Sequence, residues 1–220
     1  MKQILIVSAT RQELMPFLQH FNFQLNASDP LQVFEWHQTK ISILISGVGM
    51  VNTAYQLGKI SHSTFDLVLN VGIAGTFRND LSLGECVLVM RDELAEMGAE
   101  NGTDFILFQD LHLGGTSQYS GKYDQQYAIL NDLKNVSGIT VNKVHGDEVN
   151  IHKTIKLFNA DIESMEGAAF YRSAENMAPI IIQLRSISNL IEKRDKSKWQ
   201  MALAIQNLNN TLIQLMEQFA

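Results

Sequence analysis

Three short runs in this chain are apolar almost from end to end: QILIVS at Gln3 to Ser8, DLVLNV at Asp66 to Val71, and APIIIQL at Ala178 to Leu184. None shows the apolar–polar alternation of a strand with one wet face. Each reads as a strand covered on both sides, which calls for a central sheet with helices over both faces. Phe34 to Gln38 and Lys40 to Ser46 read as further strands joined by a short turn, as do Gly84 to Val89 and Thr140 to Val144. The last core strand spans Ile180 to Ile187. Between them, Thr10 to Phe21, Val51 to Ser61 and the segment within Asp161 to Met177 read as helices. A final helix runs from about Trp199 to Phe219, where Met201, Ile205, Leu208, Leu212, Leu215 and Phe219 form one stripe that reads as core or subunit contact. The expected fold is α/β, a single domain over residues 1–220, with a twisted, mostly parallel central sheet flanked by helices. Met97 to Tyr127, rich in Gly, Asp, Gln, Ser and Thr, reads as a long irregular excursion.

Composition narrows the function. With 220 residues, 45% of them hydrophobic, the chain can bury a sizeable core. A net charge of -6 argues against nucleic acid as partner. One cysteine, Cys86, leaves no disulfide framework and fits a reducing cytoplasm. The apolar stretch Ile4 to Val7 ahead of Arg11 is too short for a signal-peptide core, and no window is apolar enough for a membrane span. His145 and His152 stand seven apart with no cysteine nearby, so no metal site is expected.

In α/β folds the ligand lies at the carboxyl ends of the strands. The polar and Gly-rich segments fall there: Ser8 to Glu13, Gly47 to Met50, Gly72 to Gly75, Gly146-Asp147 and Arg185 to Asn189. Gly47-Val48-Gly49 lacks the third glycine and the distant acid of a dinucleotide site, which is rejected. Thr10 and Glu13 fit a capping box, but Pro16 suits a helix starting nearer Glu13. The two registers differ in whether Glu13 meets a backbone amide or points into a cleft. In DIESMEGAAFY, Asp161 to Tyr171, Met165 and Glu166 precede the small residues Gly167, Ala168 and Ala169. Alone, Glu166 reads as an acid favoured by a helix N-terminus.

The segments SATRQEL, SGVGMVNTA, NVGIAGTF, HGDEVN, ESMEGAA and LRSISN occur in the order found in the nucleoside phosphorylase/hydrolase superfamily. Within it the chain resembles the methylthioadenosine/S-adenosylhomocysteine nucleosidases and, more closely, the futalosine hydrolases of menaquinone biosynthesis. ELAEMGAENGTDF, Glu93 to Phe105, is similar to the latter branch. The resemblance implies a nucleoside phosphorylase-like fold and hydrolysis of an N-glycosidic bond without metal or cofactor. It implies Glu13 as the general base on water, Glu166 as acceptor for the ribose hydroxyls and Met165 under the sugar. Arg185 falls near the water, where it could also pair with a carboxylate. Ile73, Ala74 and Gly75 would form a backbone wall, Ser188 would position the next side chain, and Val149 joins the substrate-binding set. Homo-oligomers, dimers or larger, are implied as well.

Asn189 stands where adenine-releasing nucleosidases have aspartate. An amide offers both a donor and an acceptor, which suits a 6-oxo group and a protonated N7. Hypoxanthine is therefore the expected leaving base. Its local alternative is an Asx turn ending a strand. Phosphorolysis would need cations gathered for phosphate; Arg11 and Arg78 are available, although Arg78 reads as a surface residue. Futalosine also carries an aromatic carboxylate beyond the ribose, for which Lys122, Tyr123 or a neighbouring subunit are candidates. Still open are a methylthioadenosine/S-adenosylhomocysteine nucleosidase, a 6-oxopurine nucleoside phosphorylase and a non-catalytic nucleoside-binding protein.

Overall fold

The computed structural model describes residues 1–123 and 126–219. Its strands are β1 (Lys2–Ser8), β2 (Leu31–Trp36), β3 (Thr39–Ile45), β4 (Leu67–Thr76), β5 (Cys86–Leu94), β6 (Gly98–Asn101), β7 (Asp104–Leu107), β8 (Gln118–Ser120), β9 (Lys134–Thr140), β10 (Ile162–Ser164) and β11 (Ile180–Leu190). The helices are α1 (Met15–His20), α2 (Met50–Lys59), α3 (Ala128–Asn131), α4 (Glu148–Phe158), α5 (Gly167–Ala174) and α6 (Met201–Glu217).

The apolar runs form the sheet's centre. Ile4 to Val7 of β1 and Leu67 to Leu69 of β4 are wholly buried. Strand order across the main sheet is β10-β9-β5-β11-β4-β1-β3-β2. The sheet is mixed: β3, β1, β4 and β11 run parallel, whereas β5 lies antiparallel to β11 and β2 antiparallel to β3. Because β10 pairs with both β9 and β4, the sheet curls until β4, β11, β5, β9 and β10 close a ring. One core cluster packs β1, β3, β4 and β11 against α1 and α6; a second packs the other face against α2 and α5. Among the described residues no helix is long and apolar enough to cross a membrane.

Several boundaries differ from expectation. Gly72 to Gly75 does not turn; β4 runs through it to Thr76, in register with Arg185 to Leu190 of β11. β9 ends at Thr140 instead of beginning there, because its ladders with β5 and β10 both finish at that residue. Val141 to Asp147 is then free to loop toward the sheet's carboxyl edge. α4 follows, capped by Asp147, whose Oδ1 accepts from the Asn150 amide at 3.0 Å. The excursion after Met97 contains the β6–β7 hairpin and β8; Asp124 and Gln125 within it lie outside the described residues. The stripe on the last helix divides: Leu208, Leu212 and Leu215 are fully buried in the core, while Met201 and Ile205 face a cleft.

Candidate functional site

Glu13 satisfies both registers that the sequence leaves open. The chain leaves β1 through a 3-10 turn at Gln12–Leu14, and Pro16 sits in the first turn of α1, where its missing N–H costs nothing. The capping-box contacts form: Glu13 Oε2 accepts from the Thr10 amide at 3.0 Å and the Thr10 hydroxyl at 2.8 Å. Its Oε1 accepts from the Ile73 amide of β4 at 3.2 Å. From α6, Asn209 donates to the Glu13 carbonyl at 2.8 Å and accepts from the Phe17 amide at 3.0 Å, pinning the whole turn. The carboxylate is 8% exposed and opens onto a cleft of about 340 Å³ at the carboxyl edge of β1, β4 and β11.

Glu166 reaches the same cleft from the far side. It is the N-cap of α5, yet its side chain does not cap that helix. Instead Oε1 accepts from the Gly49 amide at 2.9 Å, and the residue is 6% exposed. Gly49 has φ of 95°, a backbone state that favours glycine. The Gly-x-Gly segment therefore serves a carboxylate of this chain.

Arg185 lies beneath both acids, 1% exposed. Its Nε donates to Gln183 Oε1 at 2.9 Å, and Nη2 donates to Asn70 Oδ1 and stands 3.9 Å from Glu166 Oε2. A Cβ built on Gly72 would come within 2.2 Å of Arg185 Nη1 and 2.9 Å of Glu13 Oε1. The guanidinium and the Glu13 carboxylate thus share the space that this glycine leaves empty.

At the other end of the cleft, β11 carries a bulge: Ile187 pairs with Ala74 and Asn189 with Gly75, so Ser188 is the extra residue. Bulges re-aim side chains. Here the Ser188 hydroxyl lies 2.8 Å from Asn189 Oδ1 and 3.1 Å from the Ala74 carbonyl, and Asn189 Nδ2 donates to the Leu190 carbonyl at 3.0 Å. The amide is oriented on both sides while keeping one acceptor and one donor site for a ligand.

Glu13, Glu166, Met165, Ile73, Ala74, Gly75, Ser188 and Asn189 all line this one cleft. Val149 and Arg185 do not: Val149 lies in the first turn of α4, 62% exposed, and Arg185 is buried beneath the lining. Lys122 and Tyr123 are also elsewhere. Lys122 bridges to Ile181, near the start of β11, and its ammonium donates to the Glu175 carbonyl. Arg11 is exposed and off the cleft, and Arg78 is paired with Asp80 at 2.5 Å and Asp161 at 3.0 Å.

Asp92 escaped the sequence reading. It is fully buried, accepts from Thr140 Oγ1 at 2.7 Å and Gln183 Nε2 at 3.1 Å, and Gln183 in turn holds Arg185. A Cβ on Gly167 would meet its Oδ2 at 2.0 Å, which explains the glycine after Glu166. Burial, with a further push from Glu166, raises its pKa from 3.8 to about 6. Between those values the folded chain holds a proton that the unfolded chain releases, so stability falls as pH rises through the window. A shift of that size corresponds to about 3 kcal/mol. The stability margin of the wild type over Asp92→Asn is expected to be largest below the unfolded value of 3.8 and to shrink by about 3 kcal/mol by about pH 7, read from urea unfolding on both sides of that window. A margin that does not vary with pH would contradict the shift.

The fold is one shared by nucleoside-cleaving α/β enzymes. Superposed on the native structure of futalosine hydrolase of Helicobacter pylori, it gives a TM-score of 0.83 at 15% identity, covering 99% of this chain and 98% of that one. The chain belongs to the Phosphorylase superfamily, whose sequence profile matches residues 3–218. Among curated proteins it is 28% identical over 222 residues to futalosine hydrolase of Thermus thermophilus, covering 96% of this chain and 94% of that protein. It is 23% identical over 178 residues to futalosine hydrolase of Streptomyces coelicolor, covering 77% and 76%.

Proposed function

We propose that this chain hydrolyses the N-glycosidic bond of futalosine, releasing hypoxanthine and dehypoxanthine futalosine in menaquinone biosynthesis. It acts as one catalytic domain over residues 1–220, in the cytoplasm, as a homodimer or larger homo-oligomer. The observation that carries this reading is that Glu13 and Glu166 open onto one cleft with Asn189 at its end. The two curated relatives named above, both futalosine hydrolases, support it.

Breaking the bond places positive charge on the ribose and negative charge on the departing base. A catalyst gains by stabilising that separation more than the ground state. Glu166, fixed by the Gly49 amide, accepts hydrogen bonds from the ribose hydroxyls and puts negative charge beside the cationic sugar. Glu13, held by Thr10 and Ile73, takes the proton of the attacking water. Arg185, 3.9 Å from Glu166 Oε2, puts a positive charge beneath that acid. Met165 lies under the sugar, and Ile73 to Gly75 form the wall beside it. Asn189 donates to the 6-oxo group and accepts from a protonated N7, with its orientation set by Ser188.

Of the two cations that the sequence offers for phosphate, Arg11 does not line the cleft and Arg78 is committed to two acids, which favours hydrolysis over phosphorolysis. The test is to incubate the protein with futalosine or methylthioadenosine in phosphate-free buffer and identify the released base. Hypoxanthine from futalosine is expected, with turnover unchanged on adding phosphate. Adenine release from methylthioadenosine at similar efficiency would move the reading to the adenine-specific nucleosidases.

A further inference from the structure

The cleft is strongly acidic. Glu13, Glu163 and Glu166 line it, and the whole chain carries a net charge of -6. An anionic substrate entering such a site needs a local cation. Arg185 cannot serve, being buried and bonded to Asn70 and Gln183. Among the described residues, the one Arg or Lys lining the cleft is Arg194.

Arg194 sits in the loop between β11 and α6. That loop is tied at both ends, by the Ile191 amide to the Thr76 carbonyl at 2.8 Å and by the Gln200 amide to the Ser188 carbonyl at 2.8 Å. Within it, the acids that could neutralise Arg194 are already engaged. Glu192 pairs with Lys198 at 2.6 Å, and Asp195 accepts from the Ser197 amide at 3.0 Å and hydroxyl at 2.7 Å. Arg194 has no hydrogen bond or ion pair among the described residues. Its guanidinium lies 4.9 Å from the Trp199 ring centroid, and Trp199 also lines the cleft. Stacking on an indole holds the guanidinium plane while leaving its edge donors free. The paired donors of that edge match a carboxylate. The adjoining indole, with Met201 and Ile205 of α6, gives the apolar wall an aromatic ring would pack on.

We infer that Arg194, stacked on Trp199, is the specificity-determining cation that binds the aromatic carboxylate borne by the substrate beyond its ribose. This inference rests on the futalosine reading above. It assigns the anion-binding role to Arg194, in place of Lys122, Tyr123 or a neighbouring subunit.

The test compares wild type, Arg194→Gln and Arg194→Lys on futalosine and on its methyl ester, which keeps the size and removes the charge. Arg194 is exposed and unpaired, so both variants are expected to melt with the wild type. With futalosine, Arg194→Gln is expected to raise KM by about 10- to 100-fold, the range of a charge-assisted bidentate pair, with kcat changed little. Arg194→Lys recovers part of the loss. The methyl ester is expected to be a poor substrate for the wild type and no poorer for Arg194→Gln. Equal losses on acid and ester would put Arg194 to another use and overturn the inference, as would an Arg194→Gln variant that keeps full kcat/KM on futalosine. If the wild type releases no base from futalosine, the functional reading falls and this inference falls with it.

Discussion

Glu13→Gln is expected to lose base release by about a thousandfold while still binding an unreactive substrate analogue, since a positioned general base contributes roughly 10²- to 10⁴-fold. The substitution keeps the shape and removes the charge and the basic lone pair. It also carries a structural cost. Both carboxylate oxygens of Glu13 accept backbone N–H bonds, from Thr10 and from Ile73, so an amide must turn its NH2 toward one of those donors. That mismatch is worth about 1–3 kcal/mol. The assay therefore belongs well below the melting temperature of the variant, paired with a binding measurement by calorimetry. A variant that keeps more than about a tenth of wild-type turnover would remove Glu13 from the role of base, while intact binding with no turnover would fix it there.

Asn189→Asp is expected to move base preference from 6-oxo to 6-amino purines by about 10³- to 10⁴-fold, the discrimination available when a site built to bond a polar group meets its opposite. The surroundings favour the change. Asn189 Nδ2 donates to the Leu190 carbonyl at 3.0 Å, and the Ser188 hydroxyl faces Oδ1 at 2.8 Å. An aspartate there keeps the Ser188 contact but presents an oxygen to the Leu190 carbonyl. That opposition favours the protonated acid, whose single proton must turn from the Leu190 carbonyl to donate to N7, while its other oxygen accepts from an exocyclic amine. The measurement is kcat/KM for an inosine-type and an adenosine-type substrate with both proteins. An unchanged ratio would show that Asn189 ends the strand without reading the base.

The parts of this site that could be read in advance rest on short-range chemistry. Thr10 and Glu13 are three residues apart, and their capping contacts form as spacing predicts. The apolar runs at β1, β4 and β11 are buried as an uninterrupted apolar run requires. What could not be read depends on partners distant in the chain. Glu166 looks like a helix-start acid until the Gly49 amide, 117 positions away, is seen to hold it. Asp92 sits in a stretch with no motif, and only the register of β5 beside β9 and β11 brings it under the site. Val149 shares a motif with its neighbours, yet helix α4 turns it outward. The stripe on α6 has one period along its length, but the sheet ends beneath it, leaving Met201 and Ile205 over the cleft.

By itself the sequence determined the layered α/β class, the strands that had to be central and the residue types available for the chemistry. Periodicity and local hydrogen bonding are properties of a few consecutive residues. Tertiary structure alone decided which groups meet. A one-residue bulge at Ser188 aims Asn189, a missing Cβ at Gly72 admits Arg185 beside Glu13, and a tied loop presents Arg194. Each depends on strand register and close packing between distant segments, and a shift of one residue in register would turn every side chain of the strand to its opposite face.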